Sequence, residues 1–114
     1  MIGQIDPSTV EKFLSRIRAD VGENPVESLR QLLGPLKVAD MAIAAGISYP
    51  RTTAILRGEG KVLPKSIASL ADRILGPGVS VELELAWTRF QHHRSTEIER
   101  HLAHRSASLR KGAA

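Results

Sequence analysis

The stretch Leu36-Lys-Val-Ala-Asp-Met-Ala-Ile-Ala-Ala-Gly46-Ile-Ser48-Tyr-Pro-Arg-Thr-Thr-Ala-Ile-Leu-Arg-Gly58 reads as two short helices joined by a tight turn. The first, Lys37 to Ala45, is Ala-rich and closes at Gly46. Ser48 supplies an N-cap for the second, Tyr49 to Arg57, which closes at Gly58. Pro50 is tolerated in its first turn, where the amide has no intrahelical partner. A helix pair of this kind needs a small residue where the helices touch, and Ala42 stands there. It needs a residue that takes positive φ at no steric cost, which Gly46 provides. Ile47, just after the turn, and Ile55, late in the second helix, are the expected apolar anchors.

Outward from this pair the punctuation continues. Asp6-Pro7-Ser8-x-x-Glu11 offers an N-cap, a first-turn proline and a capping box through Ser8 and Glu11. Val10, Phe13, Leu14, Ile17 and Val21 then predict an amphipathic helix over 8–20, ended by Gly22. Asn24-Pro25-x-Glu27 repeats the start signal, and Val26, Leu29, Leu32 and Leu33 stripe a helix over 26–33 that Gly34-Pro35 stops. Downstream of the loop Glu59 to Pro64, a helix over 65–75 carries Ile67, Leu70, Ala71 and Ile74 on one side. Gly76-Pro77-Gly78 is the strongest break in the chain. Ser80 is then expected to cap a long helix from Val81 to about His104 or beyond, with Glu82 and Glu84 suiting the dipole of its first turn. Leu83, Trp87, Phe90, Ile98, Leu102 and Leu109 mark its apolar face. Residues 106–114 read as a frayed or disordered tail.

Composition bounds the possibilities. The chain has 114 residues, 42% of them hydrophobic, and only Phe13, Tyr49, Trp87 and Phe90 are aromatic. Apolar residues at helical spacing predict an all-α protein. The absence of Cys excludes disulfides, thiolate metal sites and a Cys nucleophile, and suits a reducing cytosol. No run approaches the ~18 apolar residues of a membrane span, and Met1 to Asp6 shows no secretory signal. A cytoplasmic protein, in a bacterial cytosol or nucleoid, is expected. The net charge of +4 is unevenly spread. Residues 1–35 sum to −1, residues 36–76 to +3 and residues 77–114 to +2. The positive excess begins where the helix pair begins, which points to a polyanionic partner.

The stretch from Val26 to Leu75 resembles the lambda-repressor/Cro-like (Xre-type) helix-turn-helix family. Met41-Ala42 stands for that family's Leu-Ala pair, Gly46-Ile47-Ser48 for its Gly-Val-Ser, and Gly58 falls twelve residues after Gly46. Pro64 matches the proline opening the next helix, Leu70-Ala71 with Leu75-Gly76 matches the family's ending, and Val26 to Leu33 resembles its first helix. The resemblance covers about 50 residues. It implies a five-helix DNA-binding core within 23–78, to which this chain adds an N-terminal accessory helix (1–22) and a long C-terminal helix (79–105).

The resemblance also implies roles. Tyr49, Pro50, Arg51 and Thr53 would meet base edges in the major groove, Arg51 with a guanidinium suited to guanine O6 and N7. Lys37, Ser48, Arg57, Lys61 and Lys65 would contact the DNA backbone. Two positions depart from the family. Val38 stands where many members clamp a phosphate with Gln, leaving Lys37 to take that task, and Thr52 occupies a site that is usually aliphatic. Trp87 and Phe90 are expected to fold back on the core together with Leu83, and are also assigned, with Ile98 and Leu102, to dimerisation. The expected function is sequence-specific binding of double-stranded DNA as a homodimer, by a transcriptional regulator, more often a repressor, of phage, plasmid or mobile-element kind. The alternative is an adaptor or antitoxin-like module that binds another protein. No enzyme is expected: Gly58-Glu59-Gly60-Lys61 lacks P-loop spacing and no Ser/His/Asp set is suggested. No cofactor or metal is expected either. His92, His93, His101 and His104 lie close in sequence, yet only Glu97 offers a further ligand.

Overall fold

The computed structural model describes residues 5–34 and 36–113, with side chains through residue 109. These residues form six helices and no strand: α1 (Pro7–Ala19), α2 (Pro25–Leu32), α3 (Val38–Ala45), α4 (Tyr49–Leu56), α5 (Lys65–Leu75) and α6 (Val79–Ala113). The expected all-α class holds. The first five helices begin and end within two residues of their expected limits, and side-chain caps fix the starts of α1, α2 and α4. Asp6 caps α1, its carboxylate accepting from the amide and hydroxyl of Ser8 at 2.9 and 3.0 Å. Ser8 is thus bonded to Asp6, and no Ser8–Glu11 capping box forms. Asn24 Oδ1 accepts from the amides of Val26 and Glu27 at the start of α2. Pro35, the second half of the expected stop after α2, lies outside the described residues.

One hydrophobic core gathers residues from all six helices. Phe13, Leu14 and Ile17 of α1 are buried together with Val26, Leu29, Met41, Ile67 and Leu70. The same cluster takes in Leu83, Ala86, Trp87 and Phe90. Residues 23–78 hold four helices, not five, and α1 and the first half of α6 complete the core. The bidentate pair of Arg18 with Glu82, at 3.0 and 3.1 Å, ties α1 to α6 at the surface.

The expected dimerisation role of Trp87 and Phe90 is corrected by their burial. Trp87 is 1% exposed and its ring packs 5.6 Å from that of Phe90, within its own chain. A large aromatic gains most by removing its whole surface from water, and the intramolecular core already does so. Ile98 and Leu102, by contrast, are more than half exposed.

The start and end of α6 also differ from expectation. The helix begins at Val79, and Ser80 is its second residue, not its cap. The cap comes from α5: Asp72 accepts from the Ser80 amide at 2.7 Å and from its hydroxyl at 2.8 Å. At the other end the helix continues through the segment expected as a tail, to Ala113. Ser106 to Leu109 contain no Gly or Pro to stop a helix, which Gly112 alone does not. At 1.5 Å per residue such a helix is about 52 Å long, and the molecule measures 65 Å along its longest axis. Its radius of gyration of 17.0 Å exceeds the roughly 13 Å of a compact chain this size, because beyond Phe90 no α6 residue with a described side chain is buried.

Candidate nucleic-acid interface

The turn between α3 and α4 is built as the residues require. Gly46 takes the left-handed conformation at φ 70° and ψ 31°. The Ile47 amide returns to the Ala42 carbonyl at 3.1 Å, closing the end of α3. Ala42 is buried, Ile55 is buried and Ile47 packs against the core. Arg73 of α5 donates to the Ala44 carbonyl at 2.9 Å, satisfying a further group at this helix end.

Ser48 then caps α4, its hydroxyl oxygen accepting from the Arg51 amide at 3.2 Å. Thr52, in the site usually held by an aliphatic side chain, is 1% exposed. Its hydroxyl donates to the Ser48 carbonyl at 2.9 Å, so the polar atom is satisfied and the methyl group fills the core. With Thr52 and Ile55 fastened inward, Tyr49, Pro50 and Arg51 project outward together from the first turn. Thr53 is half-buried and donates to the Tyr49 carbonyl, so its hydroxyl is already engaged.

Some cations are paired and others are not. Arg16, Arg18 and Arg30 each face a carboxylate, of Glu23, Glu82 and Glu27 respectively. Each of these Glu side chains is held below the ordinary carboxylate range, first by the hydrogen bond from its arginine. Among the described residues Lys37, Arg51, Lys61 and Lys65 form no ion pair, and all four are exposed. Lys37 precedes α3, Lys61 stands in the loop after α4 and Lys65 opens α5. Arg57, in contrast, pairs with Glu59 at 3.3 Å on open surface. No hydrogen bond or ion pair joins the lysines to the first turn of α4, so the side chains brought together directly are Ser48, Tyr49, Pro50 and Arg51.

Sequence reasoning missed the far end of α4. An α-helix leaves its last carbonyls without intrahelical partners, and here side chains from distant parts of the chain reach them. Asn24 Nδ2 donates to the carbonyls of Ile55 and Leu56 at 3.0 and 3.1 Å. Gln91 Nε2 donates to the Gly58 carbonyl at 2.6 Å. Arg94 Nη1 donates to the same oxygen and to the Arg57 carbonyl at 3.4 Å. Two residues further along the loop, Trp87 Nε1 donates to the Gly60 carbonyl at 3.0 Å. Gly58 permits this approach: its φ is +89°, and a Cβ there would sit 3.1 Å from the Phe90 ring and 2.6 Å from Arg94 Nη1. Only the spacing of glycines hinted at any of it.

Among the described residues no group of three His, Asp or Glu side chains is disposed to hold a metal. His92 and His93 instead line an open groove of about 650 Å³ beside Val21, Arg89 and Arg100, while His101 and His104 are exposed on the distal half of α6. No described helix is long and apolar enough to cross a membrane. Comparison with known proteins finds no matching family model, no similar curated protein and no similar solved structure.

Proposed function

We propose that this chain binds double-stranded DNA sequence-specifically, as a lambda-repressor/Cro-like protein whose α4 enters the major groove. The supporting observation is the construction of α4. Its inner face is locked by Thr52 and Ile55, its first turn exposes Tyr49, Pro50 and Arg51, and the exposed cations at 37, 61 and 65 form no ion pair among the described residues. Arg51 then bonds a guanine through O6 and N7. Lys37, Lys61 and Lys65 contact phosphates and hold the protein in register without reading bases. Arg57 exchanges its exposed carboxylate partner for a phosphate at little cost, since surface ion pairs contribute ~1 kcal/mol or less.

In this account the protein acts as a homodimer on a symmetric operator and represses transcription by occupying it. A single recognition helix reads too few bases to bind tightly, and two half-sites about 34 Å apart restore affinity. Ile98 and Leu102 supply the contact, with Leu109 extending the same apolar edge of α6.

The exposed face of distal α6 also supports a second reading, an adaptor that docks another protein there and touches no DNA. Titration of salt against duplex binding separates the two. The DNA reading expects log K to fall steeply with log salt, by about 0.9 per phosphate neutralised. An adaptor shows no duplex binding at moderate salt.

A further inference from the structure

The grip on the end of α4 has a function beyond closing off a helix. The helix is eight residues long, two turns that have little stability alone. Its N-terminal turn faces outward and is held on its inner side alone, by the turn to α3 and by buried Thr52. Its exit, in contrast, is held at the carbonyls of residues 55, 56, 57 and 58 by Asn24, Gln91 and Arg94. The guanidinium of Arg94 is well matched to this place, since a cation is favoured at a helix C-terminus and its hydrogen bonds are charge-assisted.

We propose that Gln91 and Arg94 are positioning residues that aim α4 at its target, an inference that rests on the DNA reading of α4. Eight residues span about 12 Å, so a tilt of ~10° at the gripped end moves the first turn by about 2 Å. A hydrogen bond tolerates only a few tenths of an ångström. The two side chains do little for the core: both stand at its margin and their polar ends meet only backbone oxygens. They also occupy the turn at which α6 leaves the core, so the reading helix is fastened to the element whose distal half is open to a partner.

The test uses full-length Gln91→Met, Arg94→Met, their double variant, and Arg94→Lys. Methionine keeps the unbranched stem and removes the donor, and lysine restores one. Two readouts are taken: amide hydrogen exchange without DNA, and the ratio of affinities for a duplex selected from a random pool and a scrambled duplex. Loss of the grip speeds exchange at Arg57, Gly58 and Glu59 by about tenfold while α1 and α2 keep their protection. The affinity ratio falls about tenfold, the size of one lost base contact. Gln91→Met, which changes no charge, leaves the salt slope as it was, and Arg94→Lys recovers most of the ratio. Unchanged exchange, or faster exchange with an intact ratio, overturns the proposal. Should the double variant unfold, Gln91→Met alone carries both readouts. A wild-type chain that binds no duplex defeats the DNA reading and the aiming role with it, while the exchange measurement still tells whether the grip exists.

Discussion

Among the described residues the Arg51 side chain makes no hydrogen bond or ion pair, and only its backbone amide is engaged, by Ser48. Its side chain is therefore available to a base at no cost in broken bonds. Arg51→Ala is expected to weaken binding to the selected operator by ~1–3 kcal/mol and to relax preference at one position in each half-site. Selection from a random duplex pool with the variant checks this, and an unchanged preference profile assigns Arg51 to solvent. Asn24 is the opposite case, a residue with two engagements. Its oxygen caps α2 and its amide nitrogen caps α4. Asn24→Asp keeps the first and replaces the second with a carboxylate facing two carbonyls, so a loss of ~1–3 kcal/mol is expected even though the N-cap survives. A urea midpoint equal to wild type means that the α2 cap alone accounts for this side chain. The first engagement was legible because a cap lies within three residues of its partners. The second was not, since Ile55 lies 31 residues away and only the fold brings it near.

At the scale of elements, Lys61 and Lys65 mark a loop and a helix start. Alanine at both is expected to weaken binding to all duplexes about equally and to make the slope of log K against log salt shallower by ~0.9 per contact removed. A loss confined to one operator contradicts the backbone role. The start of α6 yields a pH prediction. Asp72 is held below the ordinary carboxylate range, first by the Ser80 amide and then by its hydroxyl. A carboxyl depressed in the folded state stabilises above its unfolded pKa and loses that contribution as pH falls through the folded value. Stability is thus expected to hold from neutral to about pH 5 and to decline below it. Asp72→Ala should be less stable at neutral pH and decline less on acidification. An acid limb identical to wild type dismisses the cap. Helices were readable here wherever glycine, proline or a cap lay adjacent in sequence. The start of α6 misled because Ser80 resembles a cap while the true acceptor sits eight residues back on α5. Its end misled because 106–109 have small and polar residues but nothing that forbids a helix.

For the whole molecule, burial redraws the expected domains. α1 and the first half of α6 belong to one core with α2–α5, so neither is an appendage. In the sequence alone Trp87 and Phe90 fit both core and interface, because an apolar stripe does not say what covers it. The stripe runs on through Ile98, Leu102 and Leu109 past the end of the core, and there it stays exposed. Truncation after Arg94 is therefore expected to leave a folded core with Gln91 and Arg94 in place, and to lower dimerisation and operator affinity together. Sedimentation of the truncated chain beside the intact one is the check, and identical species remove α6 from the dimer. The arrangement of α3 and α4 was legible in the stretch from Leu36 to Gly58, because turn, anchors and cap all lie within it.

Selection of bound sequences from a random duplex pool tests most directly whether α4 reads DNA. The account predicts enrichment of a two-fold symmetric motif from the intact protein at moderate salt, with a guanine in each half-site whose preference disappears in Arg51→Ala. Recovery of a pool indistinguishable from the input by the folded, intact protein contradicts it.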